Sequence, residues 1–114
     1  MNAYEVKNLI ENLFTENGEY IIYDFNDEVL DAPQELKPIL EKIEPIFSYQ
    51  DDSKEYHIQD IAEELCKRAG CQLSKFEIDE AFDSPGLDIY VLSFIIIGDK
   101  NEQIVSFHNF YERG

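Results

Sequence analysis

Carboxylates are the most abundant side chains in this sequence that could do chemistry. Twenty-five Asp and Glu residues face nine Lys and Arg residues among the 114, which gives a formal net charge of −16 at pH 7. Because contacts to phosphate need Lys and Arg, this balance disfavours direct binding to nucleic acid or to an anionic membrane surface. It favours a basic partner, whose association with the chain would be steered and salt-sensitive.

The acids concentrate in residues 24–31, 51–55 and 77–83, with aromatic residues between them. The first stretch has the spacing of an EF-hand calcium loop, whose first, third, fifth and twelfth places are filled by Asp24, Asn26, Glu28 and Glu35. However, Val29 stands where that loop needs glycine, and Pro33 falls inside it. We therefore interpret this stretch as an acidic loop that does not bind calcium.

Other metal sites and cofactors are not expected from the sequence. The only histidines, His57 and His108, lie on separate predicted elements, and Cys66 and Cys71 are too far apart for a CxxC pair. Two cysteines also make no disulfide framework, which favours a reducing compartment, the cytoplasm. The acidic, amphipathic start of the chain does not resemble a signal peptide.

Catalysis by a nucleophile would need Ser or Cys beside His and an orienting acid. No GxSxG, HExxH or glycine-rich phosphate loop joins these residue types. We interpret His108 as a surface residue of a strand. Glu77 and Asp79 share one strand face and are suited to acid–base chemistry, but such pairs arise by chance among so many acids. We expect that the protein is not an enzyme.

The elements that must position these residues are organised around residues 87–97, LDIYVLSFIII. Both alternating sets of side chains in this run are mostly apolar, which predicts a central strand covered on both faces. Predicted strands at residues 72–82 and 102–111 flank it in an antiparallel meander. A strand at residues 19–25 is predicted to join one edge of that sheet.

Apolar residues at helical spacing predict helices over residues 3–16 and 57–69, and a third that begins near Pro33. The apolar repeat of this third helix runs from Leu36 to Phe47, and Pro45 is expected to end or kink it. Asn2 is the expected N-cap of the first helix, and Gly18 and Gly70 are expected stops. Residues 48–56 are predicted to be a polar connector. The predicted fold is a single α+β domain over residues 1–114. It has about three helices packed on a roughly four-stranded, mostly antiparallel sheet, in the order α-β-α-α-β-β-β.

Small size, acidity, aromatic content and the lack of catalytic motifs together suggest an inhibitor of a basic protein. The sharpest form of this hypothesis is an immunity protein that occludes the positive active site of a nuclease toxin. The expected partner-binding residues are Tyr23, Asp24, Asp27, Glu28, Asp51, Asp52, Tyr56, Glu77 and Asp79. Two alternatives remain open: a non-catalytic adaptor or homodimeric domain, and an enzyme or ligand-binding fold with a pocket between sheet and helices.

Overall fold

The computed structural model describes residues 1–23, 36–48, 53–84 and 87–113 of the chain. Within these residues the helices are α1, Ala3–Asn17, α2, Lys37–Leu40, and α3, Ile58–Arg68. The strands are β1, Tyr20–Tyr23, β2, Ile46–Ser48, β3, Ser53–His57, β4, Gln72–Ser84, β5, Leu87–Ile97, and β6, Gln103–Arg113. The predicted α+β class, the three helices and the antiparallel pairing are confirmed.

The described strands form two antiparallel sheets of three strands, ordered β1-β3-β2 and β4-β5-β6. The meander of β4, β5 and β6 was predicted, but the predicted place of β1 at its edge was wrong. Instead, β1 pairs with β3, with Ile21 opposite Tyr56. The prediction of a polar connector over residues 48–56 was also wrong in part, because β3 begins at Ser53. The residues of β3, SKEYH, contain one large apolar side chain and therefore have no alternating signal.

The chain divides into two compact units. One comprises Met1–Lys7 and Cys66–Gly114 and contains the meander of β4, β5 and β6. The other, Asn8–Leu65, contains the β1-β3-β2 sheet with α2. The sequence-based expectation of a single domain stays a prediction.

The two ends of α1 are set by local capping. The side-chain Oδ1 of Asn2 accepts a hydrogen bond from the backbone N–H of Glu5 at 3.0 Å, as an N-cap does. At the other end, Gly18 adopts a φ of 76° and donates its N–H to the carbonyl of Phe14 at 2.9 Å. Between these caps Val6, Ile10, Leu13 and Phe14 are buried. The predicted helix and both of its capping residues are confirmed.

The second helix is much shorter than predicted. The start near Pro33 lies outside the described residues, and α2 ends at Leu40, before the end or kink predicted at Pro45. Its predicted apolar stripe is present in part, since Leu36, Ile39 and Leu40 are buried. Glu41 is the C-cap of α2, so the helix has already ended when the chain reaches Pro45. Pro45 lacks a backbone N–H and disfavours helical backbone in the residue before it, and the chain is extended from Ile46.

The third helix matches its prediction closely. His57 Nδ1 accepts a hydrogen bond from the N–H of Gln59 at 3.0 Å and caps the start of α3. At its end, Gly70 has a φ of 73°. The N–H of Cys71 bonds to the carbonyl of Cys66 at 2.9 Å, and that of Gly70 to the carbonyl of Lys67 at 3.3 Å. These two bonds form a Schellman motif, which a glycine at this position permits. No helix in the described part of the chain has the length and apolarity needed to span a membrane.

The core of the meander lies on one face of β5. Leu92, Phe94 and Ile96 are at most 1 % exposed, and the Phe94 ring stacks on Phe76 and Phe107 with centroids 6.3 and 4.9 Å apart. The Nζ of Lys7 lies 5.3 Å from the centroid of the Phe107 ring, within the range of a cation–π contact. The face expected to be buried is therefore well packed with aromatic and branched side chains.

The opposite face of β5 departs from the prediction that both faces would be covered. Its alternate residues are only half-buried: Ile89, Val91, Ser93, Ile95 and Ile97. Pairing registers place charged and polar residues of β4 and β6 beside them. An antiparallel sheet can leave one face solvated, but that face is then normally polar. Here the centre of the exposed face is a strip of β-branched residues, which makes it a candidate for a binding surface.

The turn between β5 and β6 is fixed by Glu102. Its backbone carbonyl accepts the N–H of Gly98 at 2.9 Å, and its side-chain Oε2 accepts the N–H of Lys100 at 2.9 Å. The carboxylate fills the space that a Cβ at Gly98 would need. Asn101 takes a left-handed conformation with a φ of 62°, which asparagine tolerates better than most residues.

Candidate functional site

The half-exposed side of the β4-β5-β6 sheet, here called the open face, is the candidate functional site. It is built from three rows of residues that pair across the strands. In the order β4, β5, β6, these rows are Lys75, Ile95 and Ser106, then Glu77, Ser93 and His108, then Asp79, Val91 and Phe110. All nine residues belong to one compact unit of the chain.

Ser93 and His108 form a polar centre in the open face. Ser93 Oγ and His108 Nδ1 are 2.7 Å apart, a short hydrogen bond between neighbouring strands. The imidazole also meets the ring of Phe110 edge to face, with centroids 5.3 Å apart. These two contacts hold the histidine against the sheet beside an aromatic ring.

This pair resembles part of a nucleophilic site, but its surroundings do not complete one. In a catalytic triad the acid orients the histidine from the side away from the nucleophile. Here Glu77 pairs with Ser93 from β4, whereas His108 pairs with Ser93 from β6. The backbones of Glu77 and His108 therefore lie two strand spacings apart, roughly 9.5 Å. The arrangement is better suited to recognition by hydrogen bonding than to acyl transfer.

A shallow cavity of about 310 Å³ lies over this centre. Its wall on β4 is formed by Lys75, Glu77 and Asp79, and the rest of its lining is contributed by Ser93, Phe94, Ile95, Ser106, Phe107 and His108. The volume is at the lower limit of the roughly 300–1,000 Å³ typical of small-molecule sites. It is suited to one polar side chain of a partner rather than to a large cofactor.

The acids on the open face are available to a partner. Glu77 and Asp79 are both exposed. Neither forms a hydrogen bond or an ion pair with another residue in the described ranges of the chain. Lys75, on the same strand, is exposed and equally unpaired among those residues. Two carboxylates beside one lysine leave a net negative charge on this face, which a cationic group of a partner would neutralise.

The predicted binding residues have different outcomes. Glu77 and Asp79 lie together on the open face, as expected for a charge row. Tyr56 is only 8 % exposed, because β3 turns its side chain into the core, so its place among accessible interface residues is corrected. Tyr23 ends β1, paired with Lys54. The remaining predicted residues, and the acidic loop weighed for calcium, lie outside the described residues: Asp24, Asp27, Glu28, Asp51 and Asp52.

Several residues of the open face were not selected from the sequence. Val91, Ser93 and Ile95 were assigned to a fully covered strand, and His108 and Phe110 were interpreted as ordinary strand residues. The sequence does show which side chains alternate along β5 and β6. Once the register of the two strands is known, this alternation places Ser93 and His108 on the same face of the sheet. A single sequence does not supply that register.

Metal-binding residues do not cluster in the part of the chain that the structure describes. No three His, Cys, Asp or Glu side chains converge there to hold a metal ion. His57 accepts a hydrogen bond from the N–H of Gln59 at the start of α3, and its ring centroid lies 5.0 Å from that of Tyr20. Cys66 and Cys71 are buried free thiols, and the Cys71 Sγ lies 3.4 Å from the carbonyl oxygen of Cys66.

Comparisons of the chain with protein-family models, with curated proteins and with solved structures found no match. Its function is therefore inferred from the chemistry of its own surface.

Proposed function

We propose that this chain is a small, non-catalytic protein that binds and inhibits a basic protein. In its sharpest form the proposal is an immunity protein of the cytoplasm that neutralises a nuclease-type toxin. A nuclease needs a positively charged cleft to hold its substrate phosphates. An acidic protein seated in that cleft would block access and replace the phosphate charge.

The observation that carries this proposal is the large negative charge of the chain, together with the solvent accessibility of its acidic side chains. The net charge is −16, and none of the acidic side chains whose burial is described is buried. A surface of this kind attracts a basic partner over distances near the Debye length, about 8 Å at physiological salt. It also raises the association rate by roughly 10–10³-fold at low ionic strength.

The exposed apolar strip of the open face also supports a second candidate, a non-catalytic adaptor domain. Such a domain would use the same surface for a partner that is not an enzyme. The two candidates differ in the consequence of binding, since an inhibitor abolishes an activity of its partner and an adaptor does not. A homodimer through this face is less favourable, because it would bring two chains of charge −16 together.

The proposal is tested by affinity capture with the tagged full-length chain from native lysate, with the product of the neighbouring gene as the first expected partner. We expect a basic protein that is retained at low salt and released at high salt. The recovered protein should degrade nucleic acid, and an equimolar amount of the chain should suppress that activity. Recovery of no basic protein, or of one whose activity the chain leaves unchanged, would contradict the inhibitor proposal.

A further inference from the structure

We infer that the open face is the docking surface of this protein, and that its occupant is a basic segment of a protein partner. That segment lays apolar side chains along β5 and directs an Arg or Lys side chain into the cavity beside Glu77 and Asp79. This inference rests on the proposed function, because it names the surface and the chemistry through which the basic partner is held.

The first support is the apolar content of the open face. Val91 and Ile95 are half-buried on β5, and Phe110 on β6 is 63 % exposed. The strip continues along the same side of the strand to Ile89 and Ile97, which are also half-buried. Each of these side chains retains apolar surface that a partner would remove from water, at about 25 cal/mol per Å². A highly charged protein with such a strip has the composition of a binding surface, with an apolar centre and a polar rim.

The second support is the position of the unpaired carboxylates. The register places Asp79 beside Val91 and Glu77 beside Ser93, one strand spacing of about 4.8 Å from the apolar strip. Residues two apart on one strand have side chains on the same face, roughly 6.6 Å apart along it. A guanidinium group between them would reach both carboxylates. Such charge-assisted hydrogen bonds are roughly twice as strong as neutral ones.

The third support is the interruption of the strip at Ser93. The small side chain there is bonded to His108 and opens the cavity of about 310 Å³ between the two apolar parts of the strip. A basic side chain can enter at this point with its charged end between Glu77 and Asp79, on the side of the cavity away from Lys75. Long basic side chains bury their apolar stems while their charged ends stay hydrated.

Charge also selects among the possible occupants. Lys75 is the single cationic side chain among the residues that define the open face, and it cannot neutralise both acids of an apposed second copy. Phosphate-bearing ligands would meet Glu77 and Asp79 with the same sign of charge, which disfavours them. A basic protein segment is the occupant that satisfies both the apolar strip and the carboxylates.

The test is a nuclear magnetic resonance titration of the full-length, isotope-labelled chain. The probe is a synthetic twelve-residue peptide in which arginine and valine alternate, and its counterpart carries neutral citrulline in place of each arginine. We expect the arginine peptide to shift the amide signals of Val91, Ser93 and Ile95. The citrulline peptide should bind at least about tenfold more weakly, because its side chains keep the shape but lose the charge.

Two variants with equal loss of charge locate the interaction. The double variant Glu77→Gln/Asp79→Asn should weaken binding of the arginine peptide at least about fivefold. The control Asp60→Asn/Glu63→Gln removes two exposed acids of α3 and should change it less than twofold. Phe110 is exposed, and Phe110→Ser should weaken binding of both peptides, since it removes the apolar contact between the ring and the peptide.

Absence of binding by the arginine peptide would overturn the inference, as would equal effects of the two double variants. Shifts that depend on the concentration of the chain alone would instead assign the open face to a second copy and also overturn it. None of these results decides the proposed function, because affinity capture and inhibition of the recovered protein are measured separately. Conversely, the peptide result stands even where no toxin is recovered.

Discussion

Phe94 is the residue on which packing of the meander depends most directly. Its side chain is 1 % exposed and stacks between Phe76 and Phe107, so that one ring joins the inner faces of three strands. On the same sheet Phe110 is 63 % exposed and belongs to the open face. Phe94 therefore packs inside the sheet, whereas we propose that Phe110 contacts a partner.

Alanine substitution of Phe94 and of Phe110 should have very different effects on the stability of the protein. Phe94→Ala should lower the free energy of unfolding by about 3–5 kcal/mol, because it removes a buried ring and leaves a cavity. Phe110→Ala should change it by less than about 0.5 kcal/mol, as expected for an exposed position. Urea unfolding followed by circular dichroism measures both. A cost below about 1 kcal/mol at Phe94 would show that the aromatic stack does not support the fold.

Gly98 and Glu102 are coupled in the turn before β6. A methyl group at Gly98 would displace the Glu102 carboxylate and break its bond to the N–H of Lys100. Gly98→Ala should therefore destabilise the protein by about 1 kcal/mol, the net value of one hydrogen bond. In the Glu102→Ala background the same change should be neutral or stabilising, since alanine restricts the unfolded chain. Equal costs in both backgrounds, measured by thermal unfolding, would argue against this coupling.

At the scale of elements, local capping determines where two of the helices start and stop. Asn2 caps α1 through the N–H of Glu5, and the glycines at 18 and 70 close α1 and α3 in left-handed conformations. These signals are local in sequence, so they could be recognised without the structure. Strand β5 could likewise be recognised without the structure, because its length and its β-branched composition are visible in the local sequence.

The N-cap of α1 gives a prediction at this scale. Asn2→Ala should lower stability by about 1 kcal/mol, whereas Asn2→Asp should keep it, because aspartate accepts the same hydrogen bond and favours the helix dipole. The midpoint of urea unfolding measures the difference between the two variants. If both variants matched the unsubstituted chain, the bond between Asn2 and Glu5 would contribute nothing to stability.

Other elements depend on tertiary pairing and could not be predicted from one sequence. The residues of β3 are mostly polar and become a strand because β1 and β2 both pair with them. Helical spacing over residues 36–47 predicted a long helix, but only Lys37–Leu40 forms one before Pro45. For β3 the local sequence pattern was weaker than the strand pairing that the folded chain makes.

The candidate site was predictable only in part, for the same physical reason. Glu77 and Asp79 were selected because alternation placed them on one strand face, and the register confirms that placement. Ser93 and His108, which form the polar centre of this face, are 15 positions apart in the chain. Their hydrogen bond exists only in one strand register, and the burial of Tyr56 likewise follows from the pairing of β3 with β1.

At the scale of the whole molecule, acidity and the apolar strip favour the same kind of partner. The net charge of −16 makes self-association costly and attracts basic proteins. The open face adds short-range contacts that net charge alone does not provide. Long-range steering should therefore govern how fast the partner arrives, and the open face should govern how long it stays.

We propose that carboxylates of this chain steer a basic partner to it, and stopped-flow mixing with the captured partner measures this steering. Charge reversal of Asp24, Asp27, Glu77 and Asp79 to lysine should slow association at least about tenfold at low salt and flatten its salt dependence. The control variant reverses four different acids, Glu16, Glu41, Asp60 and Glu63, which are exposed. It has the same net charge as the first variant and should slow association less. An association rate and a salt dependence that both stay unchanged in the first variant would contradict the account.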